Sequence, residues 1–275
     1  MGLLDGRVAL VTGAAKGQGR SHAVRLAEEG ADVLAVDICA DIPTTPYAQG
    51  TSVQLEETAR LVEKAGRRVV TRQADTRDSG ALRAAVEEGV AELGRLDVVV
   101  ANAGIVQIKP VAEITDADWC DVVDVNLTGT WNTVRAALPM LLAGGAGSIV
   151  ITSSAAGVKG PPGMAHYSAA KSGLLGLMRS LANELGPRWI RVNAVLPTTV
   201  DTDMVHWPEA YRAFRPDLSE PTRADVEPVF ASLNVLPVPW IEARDVSEAV
   251  LWLASDRARY VTGVALPVDA GTVIK

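Results

Sequence analysis

Two cysteines, Cys39 and Cys120, and three histidines are all that this 275-residue chain offers for disulfide or zinc chemistry. Two thiols make no disulfide framework, so a reducing cytoplasm is the expected compartment. No Cys/His pair has the spacing of a structural zinc site, and no metal is expected. No apolar run is long enough to span a bilayer, so no membrane partner is expected. The amino terminus lacks a basic segment followed by an apolar one, and Gly6 stands where a myristoylation signal needs Ser or Thr. Positive charge is also short. Lys and Arg number 26 against 33 Asp and Glu, a net charge of −7, which argues against nucleic acid as a partner. Internal repeats and low-complexity tracts are missing too.

What is present suits one large α/β domain. Apolar residues make up 48% of the chain, enough for a sizeable core. Short apolar runs at 7–12, 32–37, 68–73, 96–101, 147–153, 191–196 and 264–268 read as strands. Helical spacing fills the intervals. A helix runs through Ala23, Val24, Leu26 and Ala27 to a stop at Gly30, and others cover 51–64, 81–93, 165–185 and 245–253. Thr115 reads as the N-cap of one long helix reaching Leu142. Strands alternating with helices imply a doubly wound parallel sheet of about seven strands with helices on both faces. Two stretches break the rhythm. One is 38–50, with Pro43 and Pro46, and the other is 201–240, rich in Pro and carrying Trp207, Tyr211, Phe214, Phe230 and Trp240. Long loops in such domains tend to be lids or binding loops, although most of these aromatics are expected simply to pack the loop down.

Two clusters carry chemistry. Tyr167 and Lys171 lie four apart, on one face of a helix, with Ser154 upstream in Ser153-Ser154. A cation at ~4 Å from a phenol favours phenolate by about 4 kcal/mol at an effective dielectric of ~20, an upper bound of roughly three pKa units before desolvation. A tyrosine so placed is a candidate general base near neutral pH. A solvated Tyr and a surface Lys would show the same spacing.

The second cluster follows the first strand: Thr12-Gly13-Ala14-Ala15-Lys16-Gly17-Gln18-Gly19. Glycines between a strand and a helix let the backbone approach a pyrophosphate, which the helix N-terminus then attracts. Gly13, Lys16, Gly17, Gln18 and Gly19 are therefore cofactor-binding candidates. Asp37, ending the second strand, is placed to bind a ribose 2′-hydroxyl and to repel a 2′-phosphate, favouring NAD over NADP. Lys16 disagrees if it reaches for that phosphate, but a solvated charge is the plainer reading. Ile38 follows Asp37, where a second cation would help NADP. Asp75, with Thr76 after it, is placed to meet the adenine, and Asn102-Ala103-Gly104 closes the fourth strand at the same edge. Ligands of open α/β sheets bind at that edge.

These motifs resemble the short-chain dehydrogenase/reductase family along essentially the whole chain. The matching set is Thr12-Gly13-x-x-x-Gly17-x-Gly19, Asn102-Ala103-Gly104, Asn126, Ser154, Tyr167-x-x-x-Lys171, Pro197 and Thr202. The resemblance implies a single-domain Rossmann fold and a catalytic tetrad of Asn126, Ser154, Tyr167 and Lys171. It implies that Lys171 also holds the nicotinamide ribose, that Asn126 interrupts its helix and positions a water, and that Pro197, Thr198, Val200 and Thr202 reach the carboxamide. Thr198-Thr199 depart from the family's usual glycine after the proline. Asp37-Ile38-Cys39-Ala40 and the proline-bearing insertion to Gly50 are similar to the mycofactocin-associated, carveol dehydrogenase-like subfamily. That likeness implies NAD held without exchange and electrons passed to a separate redox carrier. Helices 115–142 and 165–186 resemble the wider family's dimer surfaces, which implies a homotetramer. The expected reaction interconverts an apolar secondary alcohol, terpenoid- or steroid-like, and its ketone. The alternative is a non-catalytic NAD-binding sensor or scaffold, which an intact tetrad disfavours. A sugar-nucleotide epimerase or dehydratase fits the glycine spacing less well.

Overall fold

The strands are continuous apolar runs because helices cover both faces of the sheet they form. The computed structural model describes residues 2–275. Its strands are β1 (Val8–Thr12), β2 (Asp32–Asp37), β3 (Val69–Gln73), β4 (Val98–Ala101), β5 (Gly147–Thr152), β6 (Ile190–Pro197) and β7 (Ala265–Val268). All pair in parallel, in the order β3-β2-β1-β4-β5-β6-β7. The helices are α1 (Gly17–Glu28), α2 (Ser52–Lys64), α3 (Ser79–Leu93), α4 (Asp116–Val123), α5 (Gly129–Gly144), α6 (Ala156–Lys159), α7 (Ala165–Leu185), α8 (Pro208–Phe214), α9 (Arg223–Ser232) and α10 (Ala243–Ala254).

Alternate strand residues serve opposite layers. Leu10, Leu34, Val99, Ile149 and Val192 join the core under α3, α5 and α7. Ala9, Val11, Val33, Val98, Val100 and Val150 join the core under α1, α2 and α10, where Ala23, Leu26, Val246 and Val250 meet them. The strand order reverses between β1 and β4, which opens a crevice at the carboxyl ends of both.

The expected helix from Thr115 to Leu142 is not one helix. A π-turn at Asp124–Thr128 separates α4 from α5. The cause is local. Asn126 Nδ2 donates to the Val122 carbonyl at 2.8 Å, taking the acceptor four residues back, and also to the Ile105 carbonyl at 2.9 Å. The stretch 201–240 is likewise not a bare loop. It holds α8, opened by Pro208 at its first turn, and α9, opened by a Thr222/Asp225 capping box. No described helix is long and apolar enough to cross a membrane.

The start of α4 rests on a reciprocal cap. Thr115 Oγ1 accepts from the Asp118 amide at 3.2 Å, and Asp118 accepts from the Thr115 amide at 3.0 Å. Lys109 neutralises Asp118 at 2.7 Å. Thr115→Ala is expected to lose about 1 kcal/mol of stability, read as a lower urea midpoint; an unchanged midpoint would mean the cap contributes nothing.

Candidate functional site

The crevice is a cavity of about 780 Å3, and every residue singled out in the sequence as catalytic or cofactor-binding lines it. At one end of it, β1 hands over to α1 through the glycine turn. Thr12 Oγ1 accepts from the amides of Asn102 and Ala103 at 3.1 and 3.2 Å, and Asn102 Nδ2 donates to the Thr12 carbonyl at 3.1 Å. The ends of β1 and β4 are thus tied together. Gly19 packs where no side chain fits, since a Cβ there would stand 1.9 Å from the Gly13 carbonyl oxygen. The N-cap of α1, Lys16, makes no side-chain cap, so the first helical amides have no side-chain partner there. Gln18 Oε1 is buried with no partner among the described residues. Free amides and an orphaned acceptor beside a glycine turn suit a polar ligand with anionic groups.

Asp37 is buried at the end of β2. One carboxylate oxygen accepts from the Ala15 amide at 2.9 Å and the other from the Cys39 amide at 3.0 Å. Each oxygen keeps a further lone pair, as a ribose diol needs. Asp75 is paired with Arg77 at 2.7 Å, and Arg77 in turn with Asp121 at 2.7 Å. Thr76 is held from behind, its carbonyl accepting from Asn132 at 2.9 Å. Ile38, next in the chain after Asp37, packs against the small apolar cluster of Ile42, Ile105, Val122 and Val125.

Lys16 has partners that its sequence position did not reveal. It donates to the Ala48 carbonyl at 2.8 Å and to Asp203 at 2.9 Å, so it fastens the 38–50 insertion to the 201–240 segment. The insertion crosses the crevice. Ile42 packs with Ile105, Val122 and Val125. The Thr44 carbonyl accepts from Gln107 at 2.8 Å, and the Thr44 hydroxyl donates to Asp121 at 2.8 Å. Gly50 brings the chain back against Asp37.

At the other end, α7 presents Tyr167 and Lys171, one turn apart, beside the end of β5. Lys171 is 3% exposed, and its Nζ donates to the Thr152 carbonyl at 2.8 Å. The same Nζ lies 5.5 Å from the centre of the Tyr167 ring. Ser154 Oγ accepts from the Ala156 amide at 3.1 Å. Asn126 is fully buried, and its Oδ1 has no partner among the described residues. Gly104 leaves the space between these groups open. A Cβ there would stand 2.7 Å from Asn126 Oδ1 and 3.4 Å from Lys171 Nζ.

The electrostatics reverse the expectation of an acidified phenol. Burial pushes the Tyr167 phenol up to about 12, and the Ser154 hydroxyl, the smaller effect, pulls the other way. Burial also pushes the Lys171 ammonium down to about 7. Proximity to the ammonium set only an upper bound before desolvation, and burial is the larger effect on both groups. A raised phenol favours the protonated, proton-giving form of Tyr167.

On the remaining side, Pro197 ends β6, and Thr198 is held by Thr272 at 2.7 Å. Val200 pairs with Ile241 in an isolated bridge. Thr202 Oγ1 donates to the Val200 carbonyl at 3.3 Å. Apolar residues of the 201–240 segment, including Met204, Val205, Phe214 and Phe230, line the cavity there. Sequence reasoning missed Tyr47 and Ile42, which reach the cavity from the insertion; the only available signal was two apolar side chains within a proline-bearing break.

A family model described as short chain dehydrogenase matches residues 7–210. A (−)-trans-carveol dehydrogenase of Rhodococcus erythropolis is 52% identical over 277 residues, covering 100% of both chains. Among solved structures, a carveol dehydrogenase from Mycobacterium avium in complex with NAD superposes with a TM-score of 0.99 at 55% identity over 100% of both chains. A short chain dehydrogenase from Mycobacterium paratuberculosis bound to NAD gives 0.91 at 47%, again over 100% of both. With the tetrad positions and the glycine turn facing one cavity, the chain belongs to the short-chain dehydrogenase/reductase family.

Proposed function

We propose that the protein is an NAD(H)-dependent dehydrogenase that interconverts a secondary alcohol and its ketone. The observation that carries this is the convergence of Tyr167, Lys171, Ser154 and Asn126 on one cavity whose far end holds the glycine turn and Asp37. NAD would lie along that cavity. The amides of the Gly13–Gly19 turn would hold the pyrophosphate, Asp37 the adenosine ribose, and Ile38, Asp75 and Thr76 the adenine side. Asn102, Ala103, Gly104 and Lys171 would meet the nicotinamide ribose, and Pro197, Thr198, Val200 and Thr202 the carboxamide. When bound, NAD supplies the acceptor or donor of a hydride.

The chain's own residues manage the proton. Ser154 donates a hydrogen bond to the substrate oxygen and stabilises charge developing there. In the reducing direction Tyr167 gives its phenolic proton to that oxygen. That leaves a phenolate, which protonated Lys171 balances; in the oxidising direction this phenolate takes the substrate's proton and is neutral again. Asn126 Oδ1 and Lys171 Nζ face the gap beside Gly104, where a water would link Lys171 to the interior.

The substrate is read as an apolar ring alcohol of terpenoid or steroid type. This rests on the apolar lining from the 201–240 segment and on the carveol dehydrogenases among the relatives. The 38–50 insertion is read as a cover that slows NAD release, so that electrons leave through a separate redox carrier, as in mycofactocin-associated enzymes. Support comes from its fastenings to Gln107, Asp121 and Lys16, because affinity differences reside mostly in off-rates. A cytoplasmic homotetramer completes the reading, as symmetric assemblies are common.

Tyr167→Phe is expected to lower turnover about a hundredfold to ten-thousandfold, the range of one acid–base group, while NAD binding persists. Activity within a few-fold of the parent would refute the role given to Tyr167. Protein purified without added cofactor is expected to release NAD(H) on denaturation. A cofactor-free preparation that turns over steadily with added NAD would reject retention.

A further inference from the structure

The insertion after Asp37 does more than pass over the nucleotide. Its Tyr47 lines the same cavity as Tyr167, Ser154 and Met204. The ring is fixed at two points. Its oxygen accepts from the Val106 amide at 2.9 Å, in the segment that follows β4. Its face leans on Trp207 of the 201–240 segment, with ring centres 5.8 Å apart and planes inclined at 32°. Trp207 is itself only 5% exposed, and its Nε1 donates to the Met204 carbonyl at 2.9 Å, so the brace is rigid. Next to Tyr47 in sequence, the Ala48 carbonyl is held by Lys16, which also holds Asp203. Tyr47 is thus clamped between the glycine turn, the β4 edge and the 201–240 segment. The Tyr167 phenol is close enough to add to the upward push that burial gives the Tyr47 phenol.

We infer that Tyr47, braced by Trp207, is a specificity-determining wall of the substrate subsite, placed to limit the size of the ring system that can present its carbinol carbon opposite Tyr167. This rests on the dehydrogenase reading for the class of ligand. It goes beyond that reading by assigning the insertion to substrate selection as well as to cofactor cover. A fixed aromatic plane rejects added ring volume far more sharply than a flexible aliphatic side chain does, because a close-packed wall held at both edges cannot recede. The wall therefore narrows the terpenoid- or steroid-type reading to its smaller ring systems, with monocyclic secondary alcohols favoured over fused ones. Removing the ring opens volume next to Trp207 without touching Tyr167, Ser154 or Lys171.

The test compares cyclohexanol with a decalin alcohol. Binding is read by calorimetry on NAD-loaded protein in a Tyr167→Phe background, so that no turnover intervenes. The parent is expected to bind the monocycle more tightly. Tyr47→Ala is expected to shift the ratio of the two dissociation constants by about tenfold or more toward the bicycle, the scale of a few methylenes in a shaped pocket. Tyr47→Phe, which keeps the ring, is expected to keep the parent ratio. Thermal midpoint and released NAD are measured on each variant, so that a misfolded or emptied protein is recognised and replaced by the milder Tyr47→Leu. A ratio unchanged in the folded, NAD-loaded aliphatic variant would overturn the wall, as would a Tyr47→Phe variant that loses selectivity as fully as Tyr47→Ala. Because binding is read, a failure of the dehydrogenase reading is seen separately, as absence of turnover with Tyr167 intact.

Discussion

A buried amine, Lys171, beside a partly buried phenol, Tyr167, sets the terms for the rest of the site. Taking either charge out of water is costly, which pushes the phenol up and the ammonium down. The pair is most comfortable as two neutral groups or as two opposite charges. That is a different device from a phenol made permanently acidic by a fixed cation, and it makes the site responsive to whatever charge enters the cavity.

Several parts of the fold serve that arrangement. The four-residue spacing on α7 puts both groups on one face, and the Thr152 carbonyl at the end of β5 anchors the amine. The π-turn between α4 and α5 turns Asn126 inward and leaves its Oδ1 without a partner, near the gap that only Gly104 keeps open. These features follow the ends of two neighbouring strands, β4 and β5. The parallel sheet matters because it delivers all of them to one edge.

The strands, the glycine turn and the tetrad positions were legible in the sequence because each is local. A buried strand shows as an apolar run, and a helix face shows as a four-residue spacing. Asp37 was readable from its place at a strand end. What was not legible depends on partners far away in the chain. Lys16 looked like a solvated charge, yet it pairs with Asp203, 187 residues on. Tyr47 gave no periodic signal and gained its place through Val106 and Trp207. The break at Asn126 could not be read from hydrophobic period, because a side-chain hydrogen bond causes it. The direction of the Tyr167 shift failed for a related reason. Spacing reports which groups are near each other, whereas burial depends on everything that closes over them, including an insertion beginning at residue 38.

The most direct measurement is the titration of Tyr167 itself, followed by carbon-13 NMR of ring-labelled tyrosine in protein whose cofactor is held reduced, so that the nicotinamide brings no positive charge, with Tyr167→Phe assigning the signal. The expected result is a phenol that stays protonated through neutral pH and ionises only near pH 12. A Tyr167 signal already in the phenolate form near neutral pH would contradict the account, because it would show that Lys171 outweighs burial.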